Sequence, residues 1–179
     1  LKDVPYVPFM DLAIVFYVLV DQSADGNATA LVRNAMMAVW GNPSVDEVYE
    51  LAKMNTQRLF RGRVASMMEV MSGIIAENDN VEPEVVDAFF SMDVYEDNFM
   101  PMFIATNQSK INGASVILYD GLLAEFARRI GGDFYILPSS VHEVLIVPAD
   151  AGMDLKDLEA MVQEVNETQV APQDRLSDH

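Results

Sequence analysis

At 179 residues and 51% hydrophobic content, the chain is long enough to bury a core without staples and too apolar to be disordered throughout. Its 28 acidic residues against 11 basic ones give a net charge of −17, which repels phosphate backbones and anionic lipid, so neither a nucleic acid nor a membrane surface is expected as a partner. Cysteine is absent, which removes disulfides, thiolate zinc sites and a cysteine nucleophile together and fits a reducing, cytoplasmic compartment.

The first strong signal is the apolar run Leu12–Val20, rich in β-branched and aromatic residues. Such a run reads as a strand buried on both faces. It is too short to span a bilayer and has no basic leader. The turn residues Asp21 to Asn27 then predict a hairpin whose second strand is Ala28–Arg33. A short helical turn over Asn34–Trp40 would tuck Met36, Met37 and Trp40 against the sheet.

Gly41-Asn42-Pro43 breaks the chain before a helix opened by Ser44-Val45-Asp46-Glu47, a capping-box pattern in which each end satisfies an orphan backbone donor. Val45, Val48, Leu51, Ala52 and Leu59 recur at helical spacing behind it. Ser66-Met67-Met68-Glu69 repeats the pattern and opens a second helix faced by Met67, Met68, Met71, Ile74 and Ile75. Residues 76–98 are acidic and irregular and read as a surface insertion, with Pro83 starting a short helix through Phe90.

Met102–Thr106 and Ala114–Tyr119 read as a second hairpin, turned by the Asn- and Gly-containing segment between them. Asp120 is placed to cap the next helix, which carries Leu122, Leu123, Phe126 and Ile130 and stops at Gly131-Gly132. Phe134–Leu137 and Val144–Val147 form a last strand pair, followed by a helix capped by Asp154 and a polar, extended tail beyond Asn166. Strand–strand–helix thus occurs three times, which predicts one α+β domain over residues 1–179 with a mostly antiparallel sheet and helices packed on one face.

Chemistry is harder to find. No P-loop, dinucleotide fingerprint or G-x-S-x-G elbow occurs, and nothing implies a cofactor. Only His142 and His179 supply imidazole, no calcium loop is in register, and no metal site is expected. The densest cluster is Ser139-Ser140-Val141-His142-Glu143. A hydroxyl beside an imidazole makes Ser139 and His142 the catalytic candidates, with Ser140 and Asn107 as candidate ligand contacts. Turn geometry accounts for the cluster better: Pro138 and the serines shape a loop while His142 bonds backbone. Arg58, Arg61 and Arg63 form the one basic group, enough for an anion contact but not for a nucleic-acid face.

Several long strings carry a family resemblance: MAVWGNPSVDEVYELAKMNTQRLF, INGASVILYDGLL, GGDFYILPSSVHEVLIVPAD and EVNETQVAPQDRLSDH, after LKDVP and PFMDLAIVFYVLV. They resemble an uncharacterised bacterial family of unknown function, common in Gram-positive gut anaerobes. The resemblance covers nearly the whole chain and implies a cytoplasmic protein. It also implies that this is the C-terminal region of a longer one, as does a start at Leu1 rather than methionine. It carries no activity or catalytic residue.

The expected function is therefore a non-enzymatic binding or protein-interaction domain with an unknown protein partner. The alternative is a small-molecule-binding or hydrolytic domain with a pocket near Ser139, Ser140 and His142. A third reading is an assembly module using Met and Phe of residues 67–90.

Overall fold

The computed structural model describes residues 2–23, 26–77, 101–138 and 140–178. Most of the acidic insertion, the helix expected from Pro83 to Phe90, Ser139 and His179 lie outside the described residues.

The α+β class and the antiparallel pairing are as the sequence indicates. The run Leu12–Val20 is not one doubly buried strand, however. It divides at Phe16 into β2 (Leu12–Val15) and β3 (Tyr17–Ser23). β2 pairs backward with β1 (Tyr6–Phe9), and β3 pairs forward with β4 (Gly26–Leu31). The pivot is the buried residue: Phe16 packs with Val32 and Met37, and its carbonyl accepts from the Val32 N–H at 2.8 Å. The flanking strands are half covered, and Tyr17 and Val20 are exposed. A bulge between Leu19 and Asp21 accommodates the exposed Val20.

Two helices follow, α1 (Asn34–Val39) and α2 (Val45–Leu59). Of the residues expected to tuck under α1, Met37 is buried, whereas Trp40 stands at the surface. The capping box of α2 is complete: the Glu47 N–H donates to Ser44 Oγ at 3.2 Å, and the Ser44 N–H donates to Glu47 Oε2 at 2.8 Å. Ser44→Ala is expected to cost about 1 kcal/mol, read as a Tm lower by about 3 °C in thermal unfolding.

β5 (Gly62–Ser66) leads directly into α3 (Met67–Glu77), where the second capping box also forms. The Glu69 N–H donates to Ser66 Oγ at 3.1 Å, and the Ser66 N–H donates to Glu69 Oε2 at 2.7 Å. β6 (Phe103–Asn107) pairs with β5 and with β8 (Val144–Pro148), and β7 (Phe134–Leu137) closes the order β5-β6-β8-β7. Ala114–Tyr119 is a 3₁₀ helix (Gly113–Leu118), not the expected strand. A short apolar run carries no period of its own, and packing decides it here: Val116 is wholly buried and the Ala114 N–H donates to the Val141 carbonyl. The middle strand–strand–helix unit therefore takes its partner strands from β5 and β8.

α4 (Leu122–Ile130) ends at Gly131, φ +77°, as the Gly-Gly stop requires. Its start differs from expectation: Gly121 occupies the cap position, and Asp120 pairs with Lys53 instead. α5 (Leu155–Thr168) is capped by Asp154, whose Oδ1 accepts from the Lys156 N–H at 3.1 Å.

Helices cover both faces of the four-stranded sheet, which corrects the single helical face expected. Successive residues of a strand point to opposite sides. Val144 and Ile146 of β8 meet Phe126 of α4 and Val116. Val147, beside Leu137, meets Leu158 and Val162 of α5. Phe126 lies edge-on to Phe103 and Phe134, with ring centroids 4.9 and 5.3 Å away.

The tail is extended but not free. The Val141 N–H donates to the Asp174 carbonyl at 2.8 Å, Leu176 packs on the core, and Asn166 Nδ2 donates to the Ser177 carbonyl at 2.7 Å and to Asp178 Oδ1 at 2.9 Å. Ser177 Oγ also bonds Asp11 Oδ2 at the β1–β2 turn.

A candidate binding cleft between the hairpins, α2 and the 3₁₀ helix

The two hairpins, α2 and the segment Asn107–Tyr119 all contribute to the lining of a cleft of about 870 Å³. Its lining is mainly apolar: Phe16 and Val18 from the hairpins, Val48 and Leu51 from α2, Ile117 and Leu118 from the 3₁₀ helix. The cleft is open to solvent, and large apolar side chains on its wall remain in contact with water. Leu51 is 56% exposed, Tyr17 48%, Trp40 47% and Ile111 42%. α2 contains no fully buried residue, although Val48, Leu51, Ala52 and Leu59 form an apolar stripe, of which Val48 and Ala52 pack on Phe16, Val32 and Met37.

Polar groups are few and mostly committed. Asn107 is buried, donates through Nδ2 to the Ile111 carbonyl at 3.0 Å, and accepts from Ser109 Oγ at 2.8 Å. It thereby shapes the turn that presents Ile111. The Tyr119 hydroxyl donates to the Phe60 carbonyl at 2.8 Å, and burial raises its pKa above the ordinary phenol value. Lys53 reaches across to Asp120 at 2.8 Å. That ammonium holds the Asp120 carboxyl below the usual range, and Asp120 raises Lys53 in return.

Ser140 and His142 adjoin the cleft through Val141, which lines it. Ser140 Oγ accepts from the His142 backbone N–H at 3.0 Å, not from the ring. His142 Nδ1 accepts from the Asn112 N–H at 3.3 Å, so the ring proton sits on Nε2, 3.6 Å from Asp174 Oδ1. The His142 carbonyl accepts from Thr106 Oγ1 at 2.7 Å. A general base needs a free acceptor nitrogen aimed at the nucleophile. Here that nitrogen receives a backbone N–H, and the histidine joins three chain segments. Ser139 lies outside the described residues. Among the described residues, no group of three or more His, Cys, Asp or Glu is placed to hold a metal ion.

Glu47 and Glu69 are held below the carboxylate range, first by the backbone N–H groups of Ser44 and Ser66, as Asp120 is by Lys53. A lowered folded pKa contributes stability that is present above the unfolded value, about 4, and lost as pH falls through the folded one. Urea midpoints are therefore expected to fall as pH drops below about 4, with a shallower fall in a Glu47→Gln/Glu69→Gln double variant, which removes both titrating groups.

Sequence reasoning placed Leu51 and Leu59 on an apolar stripe but did not find Tyr17, Trp40 and Ile111 as the surfaces around it. Trp40, just before the Gly-Asn-Pro break, was the available signal: a lone indole in loop surroundings.

The molecule is thus an α+β protein with a solvent-open, mainly apolar cleft among its described residues. By sequence it belongs to DUF5688, a family of unknown function, whose model matches residues 1–179. A search of curated proteins and one of solved structures found no match.

Proposed function

We propose that this protein is a non-enzymatic interaction domain and that the apolar cleft is its working surface. The observation that carries the reading is α2, a fifteen-residue amphipathic helix with no buried residue: Val48 and Ala52 pack against Phe16, Val32 and Met37, but Leu51 and Leu59 of the same stripe stay exposed. Ordinarily such a stripe is covered, because burial of its apolar face supplies most of a helix's stability. Here the exposed part of the stripe lines a cleft together with exposed Ile111, Tyr17 and Trp40. Contiguous exposed apolar surface of this kind marks binding sites. A cytoplasmic setting goes with this reading, supported by the cysteine-free composition. Among the described residues, no helix is long and apolar enough to cross a membrane.

Nile red, an uncharged apolar dye, tests the cleft. Its emission should rise and shift to the blue with the native protein, and fall back with Leu51→Asp and with Ile111→Asp. Both side chains are exposed, so urea midpoints of the variants should stay near the native value. No dye uptake, or uptake indifferent to both substitutions, would remove the basis of the proposal.

A second reading rests on Val141 and Asn112 lining the cleft: a small-molecule site that extends to Ser140 and His142. Loss of dye uptake in Ser140→Ala or His142→Ala, with Leu51→Asp unaffected, would favour it.

A further inference from the structure

We infer that the occupant of the cleft is an amphipathic helix of a partner protein, apolar on its inner face and basic on its outer one. This rests on the cleft being the working surface and names what fills it.

Shape is the first argument. The stripe from Val48 to Leu59 is about 16 Å long, or three helical turns. A helix of that length, about 10 Å across and sunk to half its depth, displaces roughly 650 Å³. The cleft holds about 870 Å³ and is open to solvent. A half-sunk helix keeps its polar face in water, whereas a small apolar ligand in the same place would leave much of its own surface wet. Ala52 and Thr56 lie between the larger residues of α2, so a partner can approach closely there, in the manner of ridges entering a groove. Recognition of this kind reads anchors at i, i+3, i+4 and i+7.

Charge is the second argument. Glu47 is on the cleft wall, while the wall's Lys53 is already paired with Asp120; Asp46 and Glu50 lie on the outer side of α2 and add to the negative field around it. Glu50 also acts electrostatically on Lys53. Arg58, at the far end of α2, donates to Asn55 Oδ1. With the whole chain at −17, a basic helix is attracted over long range and an acidic one is repelled.

The test uses synthetic peptides free of tryptophan, so that Trp40, the one tryptophan of the chain, reports binding. One peptide places leucines at helical i, i+3, i+4 and i+7 spacing among lysines. A second has the same composition shuffled, and a third has glutamate in place of lysine. The first should displace Nile red and shift Trp40 emission, with affinity falling as salt is raised. The shuffled and acidic peptides should bind at least about tenfold more weakly, and Leu51→Asp should weaken the first peptide by a similar factor, since one buried leucine is worth about that much. Leu51→Asp also adds a negative charge, so attraction by charge alone would strengthen binding in that variant. That outcome, or equal binding of ordered and shuffled peptides, overturns the inference. Nile red uptake without peptide displacement overturns the helical partner and leaves the cleft; absence of both removes cleft and partner together.

Discussion

Gly113→Ala is expected to destabilise the protein by about 3 kcal/mol or more, enough to lower its thermal midpoint by roughly 10 °C. Gly113 opens the 3₁₀ helix where it passes over the end of β6 and the loop before β8. A methyl group added there would fall on Thr106 Oγ1 and on the His142 carbonyl, with the Asn107 N atom 3.1 Å away. Two of those three atoms belong to the backbone and cannot swing aside. The two nearest also bond each other, so the intruding carbon meets the hydrogen bond that joins β6 to the His142 segment. Thermal unfolding followed by circular dichroism measures the cost; a midpoint within a degree or two of native would show that the segment yields. Thr106→Ala alone should be far milder, since it removes one hydrogen bond and adds no atoms.

Asn166→Asp is the second large effect, expected at about 3–5 kcal/mol near neutral pH. Asn166 is wholly buried on α5, and its Nδ2 donates to two acceptors, the Ser177 carbonyl and Asp178 Oδ1. Its own Oδ1 is buried with no protein partner. The substitution exchanges the only donor for a third acceptor and buries a charge among oxygens. The new carboxyl would be pushed above its unfolded value, so the deficit should shrink in acid, where the group is protonated, and grow as pH rises. Urea unfolding of the variant at pH 4 and pH 8 checks the sign. Detachment of the tail should also loosen the Val141–Asp174 pairing beside the cleft.

The parts of the fold legible in the sequence are those decided locally. Ser44 with Glu47 and Ser66 with Glu69 announce two helix starts because both members of each pair act within one turn. Gly131-Gly132 announces a stop for the same reason. β7 and β8 were visible as apolar runs around a loop. β5 was not, since only Val64 and Ala65 of Gly62–Ser66 are apolar and its identity comes from pairing with β6. β1 was hidden by Pro8 and by a Met10-Asp11 turn, in which Met10 adopts φ +53° without the usual Asn-Gly or Asp-Gly. Ala114–Tyr119 was misread because its run of apolar residues suits a strand as well as a 3₁₀ helix, and Gly113's contacts with distant atoms decide between them.

The candidate cleft was the least legible part. Its walls come from Phe16, Leu51 and Ile111, far apart in sequence, and no local pattern relates them. Ser139 and His142 drew attention as the catalytic pair, with Ser140 as a ligand contact. Ser139 lies outside the described residues; Ser140 Oγ and His142 Nδ1 accept backbone N–H groups, and His142 Nε2 faces Asp174.

The two small ribbons β1–β2 and β3–β4 have a consequence for behaviour at high concentration. Each is a two-stranded sheet, so every strand in it has an outer edge able to recruit another chain. Pro8 contributes no amide hydrogen to the first ribbon, and the bulge beside Val20 distorts the second where its exposed apolar residue would otherwise invite stacking. Straightening these edges, by Pro8→Val together with deletion of Val20, should turn a well-behaved solution into one that scatters light and binds amyloid dyes.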